Sequence, residues 1–298
     1  MVREIIIGLF CKGLFLVGVI CQAQLADLAR IEYTIIPATS SDFEFNRTRF
    51  AFNYPIKLKE KNQSYLFLGL DYSNINITFG DEDRPFEKDN LDGFQLLDLN
   101  IGYTFKINEK WRFGARFTPG ISSNIKANDL MARDVVFSSD IVFIRDRKDD
   151  ATAKKPNRLI LGVSYSQNRG FPFPLPFISY YRKFAAKFSY NIGIPKTNLQ
   201  YHISEAHRLK LYAQLDGFTS NIQNGDIVNG QQASRFNMSL IVSGLQYEFH
   251  IKDHIELYTK AAYILDRNVA LRDRGNNDIF IVDNSNGFDL QVGIRLKI

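Results

Sequence analysis

Hydrophobic and polar positions alternate along most of the chain. In residues 97–107 the odd positions are apolar and the even ones polar, and after a break at Asn108 and Glu109 the odd positions of residues 111–117 are apolar again. Strict period-two alternation is typical of a β-strand with one apolar and one polar face. Residues 94–121 therefore predict two antiparallel strands joined by a very short turn.

The same alternation recurs to the end of the chain. It predicts fourteen strands, of which the first, residues 31–37, has the weakest pattern; omitting it and merging one weak neighbour gives twelve. The remaining strands are expected at residues 43–58, 65–79, 134–145, 158–167, 177–184, 187–194, 197–204, 207–219, 235–251, 255–265 and 288–298. In residues 235–251 the apolar positions change from even to odd, which predicts a β-bulge near Ser243 and Gly244.

Short and long connections alternate between these strands. The short ones are residues 59–63, 108–109, 185–186, 205–206 and 252–253, and the long ones are residues 80–92, 124–133, 168–176, 220–234 and 266–286. Short turns at one end and long loops at the other are typical of membrane-spanning antiparallel barrels, whose strands need about 9 to 11 residues. Residues 147–157 are an exception, because they are long where a short turn is expected.

The N-terminus predicts an exported protein. A charged start and an apolar run at residues 5–20 indicate a secretory signal over residues 1–23, followed by one barrel domain over residues 24–298. Lipidation of Cys21 is the competing interpretation, but Ile20 before it is not the small residue that a lipidation site requires. Both cysteines lie in the signal, so no disulfide is expected in the exported chain.

The main alternative to a membrane barrel is a secreted soluble β-sandwich or lipocalin-like barrel, whose strands also alternate. Three features favour the membrane: the number of strands, the repeated charges on the polar face, and aromatic residues near strand ends, such as Tyr103 and Trp111. We therefore expect an all-β fold, a transmembrane antiparallel up-and-down β-barrel of about 14 strands. The formal net charge of the chain is +5, and its basic residues are scattered along the sequence, so no nucleic-acid partner is expected.

The signal, the alternating strands, the uneven connections and the terminal strand at residues 288–298 together resemble a Gram-negative outer-membrane β-barrel of an uncharacterised family. This resemblance implies a location in the cell outer membrane, contact with outer-membrane lipid, and recognition by the barrel assembly machinery during biogenesis. Such barrels usually end on an aromatic residue, whereas this chain ends on Ile298.

Charged residues on the polar face are the predicted lining of the barrel interior. They are Asp98, Lys106, Arg112, Arg116, Arg158, Lys210, Asp216, Glu256, Lys260, Asp289 and Arg295. Opposite charges on neighbouring strands pair, so these residues either form a network that braces the interior or form a lining that selects solutes. The pattern leaves both interpretations open.

One pair of residues resembles the His-x-Ser pair of lipid A deacylases. His202 and Ser204 share a face of one predicted strand, with Glu205 beside them. A histidine can activate a serine, but two residues are a weak signal and both point away from the lipid face. We expect them to fill the polar interior.

Metal sites are weakly indicated. His250 and His254 flank a tight turn, but no Cys and no clustered third ligand accompany them, and the acidic loop at residues 80–92 lacks the spacing of a calcium loop. We predict no catalytic residue, no metal and no cofactor.

Two functions remain open from the sequence. The first is a channel or transporter for small or amphipathic solutes, with external loops that control entry and a solute that the sequence does not identify. The second is a structural or surface-interaction barrel with a plugged interior, which binds partners through the loops at residues 80–92 and 266–286. A lipid-modifying enzyme is a third, weaker possibility.

Overall fold

The computed structural model of this chain describes residues 27–38, 43–59, 63–81, 83–126, 129–147, 155–171, 173–252 and 254–297. The predicted signal at residues 1–23 lies outside them. Within these ranges, no helix is long and apolar enough to cross a membrane.

Seventeen strands follow one another along the described part of the chain. They are β1 (Ala29–Ile36), β2 (Phe43–Lys59), β3 (Ser64–Phe79), β4 (Phe94–Lys106), β5 (Arg112–Ser123), β6 (Val135–Arg147), β7 (Asn157–Ser166), β8 (Leu175–Lys183), β9 (Phe188–Ile194), β10 (Lys196–His202), β11 (His207–Asn221), β12 (Ile227–Val228), β13 (Gln231–Gln232), β14 (Arg235–Lys252), β15 (Ile255–Arg272), β16 (Asp278–Asp283) and β17 (Gly287–Leu296). The strands β12 and β13 form a separate hairpin, and β16 pairs with β15 at the edge of the sheet.

The other fourteen strands form a closed antiparallel barrel. Each pairs with its neighbours in chain order, and β17 closes the sheet on β1 with Ile294 opposite Ile31. The predicted fold class and the count of fourteen strands are confirmed, and the alternative of twelve is wrong. We call the end with the short connections at residues 107–111 and 203–206 the turn end, and the end with the long connection at residues 80–93 the loop end.

The two faces of the barrel wall differ as the alternation predicts. Large apolar side chains point outward and remain about half exposed, among them Leu99 at 46% and Val292 at 56%. Polar and charged side chains such as Glu32 and Glu248 point inward and are buried. A soluble barrel would have the reverse arrangement, because water would drive its apolar face inward.

The long strands β14 and β15 extend beyond the apolar outer belt at the loop end. Along β14 most even positions are buried, but the buried ones are apolar in residues 236–242 and polar at Gln246 and Glu248. The apolar positions of β14 therefore change from even to odd because the strand passes from an apolar interior at the loop end to a polar interior facing the chamber side of the barrel. The predicted bulge at residues 243–244 is misplaced: the ladder shifts between Ile241 and Val242, where Leu265 of β15 has no partner.

Two of the predicted loops contain strands. Residues 266–286, expected to be a loop, include the end of β15 and the whole of β16, while residues 220–234 include the β12–β13 hairpin. Their sequences are polar and rich in Asn and Asp, so strands that face water on one side could not be told from loops by composition. The unexpectedly long connection at residues 147–157 lies mostly outside the described residues.

A buried ion pair joins β15 to β16 in this extension. Arg267 donates to Asp283, and the side chains of both are 1% exposed. Burial by itself would raise the pKa of Asp283, but a hydrogen bond from the backbone N–H of Ser285, at 2.9 Å, and the charge of Arg267 outweigh it. The pKa of Asp283 therefore lies below its ordinary value of 3.8.

Candidate functional site

A cavity of about 1080 Å³ lies inside the barrel. Its lining begins at the turn end with Asn53 and Lys297 and ends toward the loop end at Ile75, Leu96 and Phe218. We call this space the chamber. It is large enough for a small organic solute together with water.

Basic side chains predominate in the lining of the chamber, with twelve against five acidic ones. The basic residues are Arg30, Arg47, Arg49, Arg116, Arg158, Arg169, Lys196, Arg208, Lys210, Lys260, Arg295 and Lys297. The acidic residues are Asp27, Glu32, Asp71, Asp98 and Asp216. An excess of one sign on the walls of a concave site attracts solutes of the opposite sign. Part of this excess is offset by carboxylates behind the lining, such as Glu248 and Glu256.

Ion pairs brace the turn end of the chamber. Glu248 of β14 accepts hydrogen bonds from Arg208 at 3.2 Å and from Arg295 at 2.6 Å, and it also pairs with Lys210. Glu256 of β15 pairs with Arg295 and with Lys297. Two fully buried carboxylates thus hold the basic side chains of β11 and β17.

A second set of ion pairs lies on β1, β2 and β3. Arg49 binds Asp71 at 2.6 Å and contacts Glu32 at 3.5 Å, while Arg47 reaches across the barrel to Asp216 of β11 at 3.3 Å. Groups of opposite sign are matched in this layer as well. Much of the charge in the chamber is therefore neutralised by the wall itself.

Two lysines of the chamber make no ion pair with any carboxylate in the described part of the chain. Lys196, the first residue of β10, donates to Oε1 of Gln246 at 3.1 Å, and its Nζ lies 4.7 Å from the centre of the Tyr212 ring. Nζ of Lys260 lies 5.8 Å from the centre of the same ring and 5.6 Å from that of Tyr258. Both ammonium groups thus lie against aromatic rings beside the chamber.

An apolar core closes the barrel at the loop end. The rings of Phe94 on β4 and Phe236 on β14 have centres 5.3 Å apart, and Phe218 on β11 lies 5.8 Å from Phe94 and 6.0 Å from Phe45 on β2. Because β2 and β4 stand on the opposite side of the barrel from β11 and β14, these rings meet across the interior. We call Phe45, Phe94, Phe218 and Phe236 the seal.

The interior of the barrel also narrows at the loop end. The end of β11 meets that of β5, where Asn221 pairs with Ser123, and Ser122 Oγ donates to the carbonyl oxygen of Thr219 at 3.0 Å. The connection between β7 and β8 folds into the interior: Asn168 Nδ2 donates to Asp98 at 2.9 Å. The chamber is thus closed beneath the loops by polar contacts as well as by the seal.

Residues 38–298 match the model of a family described as a domain of unknown function, DUF6268. The chain belongs to this family. The match spans every barrel strand except β1, so DUF6268 corresponds to the barrel itself. None of the curated proteins matches the sequence.

Several solved structures resemble this DUF6268 barrel in outline. The COG4313 outer membrane channel from Pseudomonas putida F1 matches with a TM-score of 0.46 at 11% identity, covering 94% of this chain and 100% of that chain. LpxR from Salmonella typhimurium matches with a TM-score of 0.41 at 8% identity, covering 91% of this chain and 100% of that chain. The KdgM porin in complex with disordered oligogalacturonate matches with a TM-score of 0.38 at 8% identity, covering 90% of this chain and 99% of that chain. Scores and identities this low identify no activity.

The structure brings most of the predicted interior residues together. Seven line the chamber: Asp98, Arg116, Arg158, Lys210, Asp216, Lys260 and Arg295. Of the other four, Glu256 and Asp289 are buried on the inward face of the wall, Lys106 is half-buried near the turn end, and Arg112 donates to the carbonyl oxygen of Gln63 at 2.8 Å.

Sequence reasoning missed several groups that shape the chamber. Glu32, Arg47, Arg49 and Asp71 occupy inward positions of β1, β2 and β3, and Lys196 begins a short strand next to Pro195. The alternation of polar and apolar positions could have identified the first four, since each lies on the polar side of its strand. Lys196 had no such signal, because β10 alternates over only seven residues.

The His-x-Ser pair does not assemble. His202 Nε2 lies 2.8 Å from Ser189 Oγ of the neighbouring strand, whereas Ser204 Oγ accepts a hydrogen bond from the backbone N–H of His207 in the turn. The described residues show no carboxylate hydrogen-bonded to His202. A triad that could activate a serine is therefore not formed here.

A third potential metal ligand does lie beside His250, contrary to expectation. Ligand atoms of Glu248, His250 and Glu256 lie within 4.8 Å of one another, while His254 is exposed and outside this group. The sequence did contain a signal for the cluster, since Glu248 and His250 are two positions apart on one strand and Glu256 lies opposite His250 across the turn. Both carboxylates already bind Arg295, so we interpret the group as an ion-pair cluster and assign no metal to it.

Proposed function

We propose that this DUF6268 protein is a gated solute channel of the outer membrane, closed at its loop end in this conformation. The observation that carries the proposal is the combination of a charged chamber of about 1080 Å³ with a seal that crosses the barrel above it. A purely structural barrel needs no such space, because small barrels fill their interiors with side chains.

The outer belt supports a position in a bilayer. On β2, outward-facing apolar side chains occupy alternate positions of residues 50–58, among them Phe52 and Tyr54 at 53% exposure each. At about 3.3 Å per residue they extend about 26 Å along the strand, which is about 20 Å of height at a strand tilt of about 40°; the apolar band of outer-membrane barrels is about 25 Å tall. Closure of the sheet pairs the edges that lipid would leave unsatisfied.

Aromatic side chains near the turn end support the same position. Neighbouring ring centres lie 5.6 Å apart for Tyr103 and Phe105, 5.4 Å for Phe105 and Phe113, and 5.5 Å for Phe113 and Phe143. These residues belong to three adjacent strands, β4, β5 and β6. A continuous row of outward aromatic rings is typical of the girdle at a membrane–water interface.

The construction of the seal supports gating. Its rings come from strands on different sides of the barrel, so Phe94 and Phe236 must move apart before a solute can pass. The chamber below is already polar and wide. Passage of a solute therefore depends on the seal and on the inward loop at Asn168.

The seal also favours a second candidate, a permanently plugged barrel that binds partners at its loop end. The extension of β14, β15 and β16 presents polar outward positions such as Asp266, and the connection at residues 80–93 packs onto it through Phe86. In that case the seal would be a static core.

Conductance separates the two candidates. The purified chain, shown to be folded by heat-modifiable gel migration, is inserted into planar bilayers. We expect brief openings for the wild type and sustained current for the Phe94→Ala, Phe236→Ala double variant. Absence of current from both folded proteins would overturn the channel and leave the plugged barrel.

A further inference from the structure

The geometry points to a binding site for a small organic anion in the chamber, with Lys196 as its anchor and Lys260 as its second cation. This inference rests on the proposed channel function and names the class of solute for it. Both lysines line the chamber and lie on strands, β10 and β15, that stand on either side of β11 and β14.

Charge balance singles out these two lysines. Arg47, Arg49 and Arg295 each bind at least one carboxylate of the wall, as described above. Lys196 and Lys260 bind none among the described residues, although a charge withdrawn from bulk water is costly without a partner. A bound anion would provide the missing partner.

The position of the lysines fits one solute molecule. Their distances from the centre of the Tyr212 ring, 4.7 Å and 5.8 Å, place the two ammonium nitrogens at most 10.5 Å apart. In the ladders, Gln214 stands opposite Lys196 and Gln291 opposite Lys260, and both glutamines line the chamber. Their amides offer hydrogen bonds to the hydroxyl or carbonyl oxygens of a polar carboxylate.

The surrounding charges decide which lysine dominates. The charged groups that act most strongly on Lys196 are cations, namely Lys260, Lys210 and Arg295. Lys260 is acted on mainly by acids, namely Glu32, Asp216 and Asp289. Two of these acids, Glu32 and Asp216, already pair with arginines. A bound anion would therefore offset the cations around Lys196, whereas Lys260 already has acids near it, and we place the anchor of the site at Lys196.

Arg169 is the other basic residue of the chamber without an ion pair among the described residues. Its Nη1 donates to the hydroxyl of Ser164 at 2.9 Å, and the neighbouring Asn168 is held by Asp98. Because it belongs to the inward loop, it stands apart from the two lysines. We place it outside the site.

Titration calorimetry of the folded barrel in a zwitterionic detergent tests the site, with citrate, inorganic phosphate and glucose as probes at constant ionic strength. We expect citrate to bind the wild type and glucose not to bind. The Lys196→Gln, Lys260→Gln double variant should weaken citrate binding by about tenfold per lysine. Lys106→Gln removes an equal charge elsewhere on the inward face and should leave the affinity unchanged.

Each outcome decides the inference. Equal citrate affinity of the wild type and the folded double variant overturns the site, as does a wild type that binds no probe. Binding of phosphate but not citrate overturns the organic solute and keeps an anion site for phosphate alone.

Failure of the channel is distinguished from failure of the site by reversal potentials of the Phe94→Ala, Phe236→Ala barrel. Anion-selective current that loses its selectivity in Lys196→Gln supports both proposals. Current without selectivity overturns the anion site alone, and citrate binding without current overturns the channel alone.

Discussion

Phe236 allows the closure of the loop end to be tested quantitatively. Its side chain is fully buried, and its ring centre lies 5.3 Å from that of Phe94 and 5.6 Å from that of Phe218. Replacing a buried Phe by Ala typically costs about 3 to 5 kcal/mol, because contacts are lost and a cavity remains. If the opposite walls separate when the barrel opens, Phe236→Ala removes this energy from the closed state.

The expected change is large. A loss of about 3 kcal/mol from the closed state alone lowers the closed-to-open ratio by about two powers of ten, since 1.4 kcal/mol corresponds to a factor of ten. Single-channel recordings measure this ratio as open probability. The control is Phe288→Ala, whose side chain points outward at 56% exposure and makes no contact with the seal.

An open probability that is the same for wild type and Phe236→Ala would refute the reasoning, provided that both proteins migrate as folded barrels. It would mean that the rings of the seal stay together in the conducting state. A rise in Phe288→Ala equal to that in Phe236→Ala would also count against it, because the effect would then come from general loosening of the wall.

Three further predictions concern the stability of the barrel. Asp283→Asn leaves the buried Arg267 without its partner and should cost about 3 to 5 kcal/mol in the loop-end extension, measured as a lower midpoint in urea. Because the pKa of Asp283 is depressed on folding, the stabilisation by this ion pair is complete at neutral pH and is lost as the pH falls through the folded pKa, below 3.8; a midpoint in Asp283→Asn with the same acid dependence as in wild type would contradict this. Gly217→Ala should reduce the folded fraction on gels, because Gly217 has a φ of +134° and an added Cβ would meet a carbonyl oxygen of β14. Leu99→Arg should weaken insertion into vesicles by about 2 to 4 kcal/mol, whereas Leu130→Arg, in a connection at the loop end, should insert as the wild type does.

The sequence indicated much of the chamber but not its chemistry. Inward positions such as Asp98 and Lys210 could be assigned because a strand alternates with a fixed period of two. The partners of these residues could not be assigned, since a pair such as Arg47 and Asp216 is 169 positions apart in the chain. The identity of the unpaired lysines depends on all the other pairings, and only the folded barrel sets those.

The seal illustrates the same limit. Phe43 and Phe45 lie on the inward positions of β2, opposite in phase to its lipid-facing residues, and this reversal was a sequence signal of an apolar interior at the loop end. In β14 the reversal was interpreted as a bulge, because a shift in phase and a change of surroundings produce the same pattern. Neither pattern states which strands meet across the barrel.

The local geometry of this protein could be predicted from its sequence: about fourteen strands, their two faces and the unequal connections at the two ends. Backbone hydrogen bonding and the period of the strand act between neighbours, so a linear pattern is sufficient to specify them. The folded barrel alone shows that Phe94 meets Phe236, that Glu248 and Glu256 neutralise Arg295, and that Lys196 has no carboxylate partner among the described residues. These contacts depend on the closure and the diameter of the barrel, which place distant strands opposite one another.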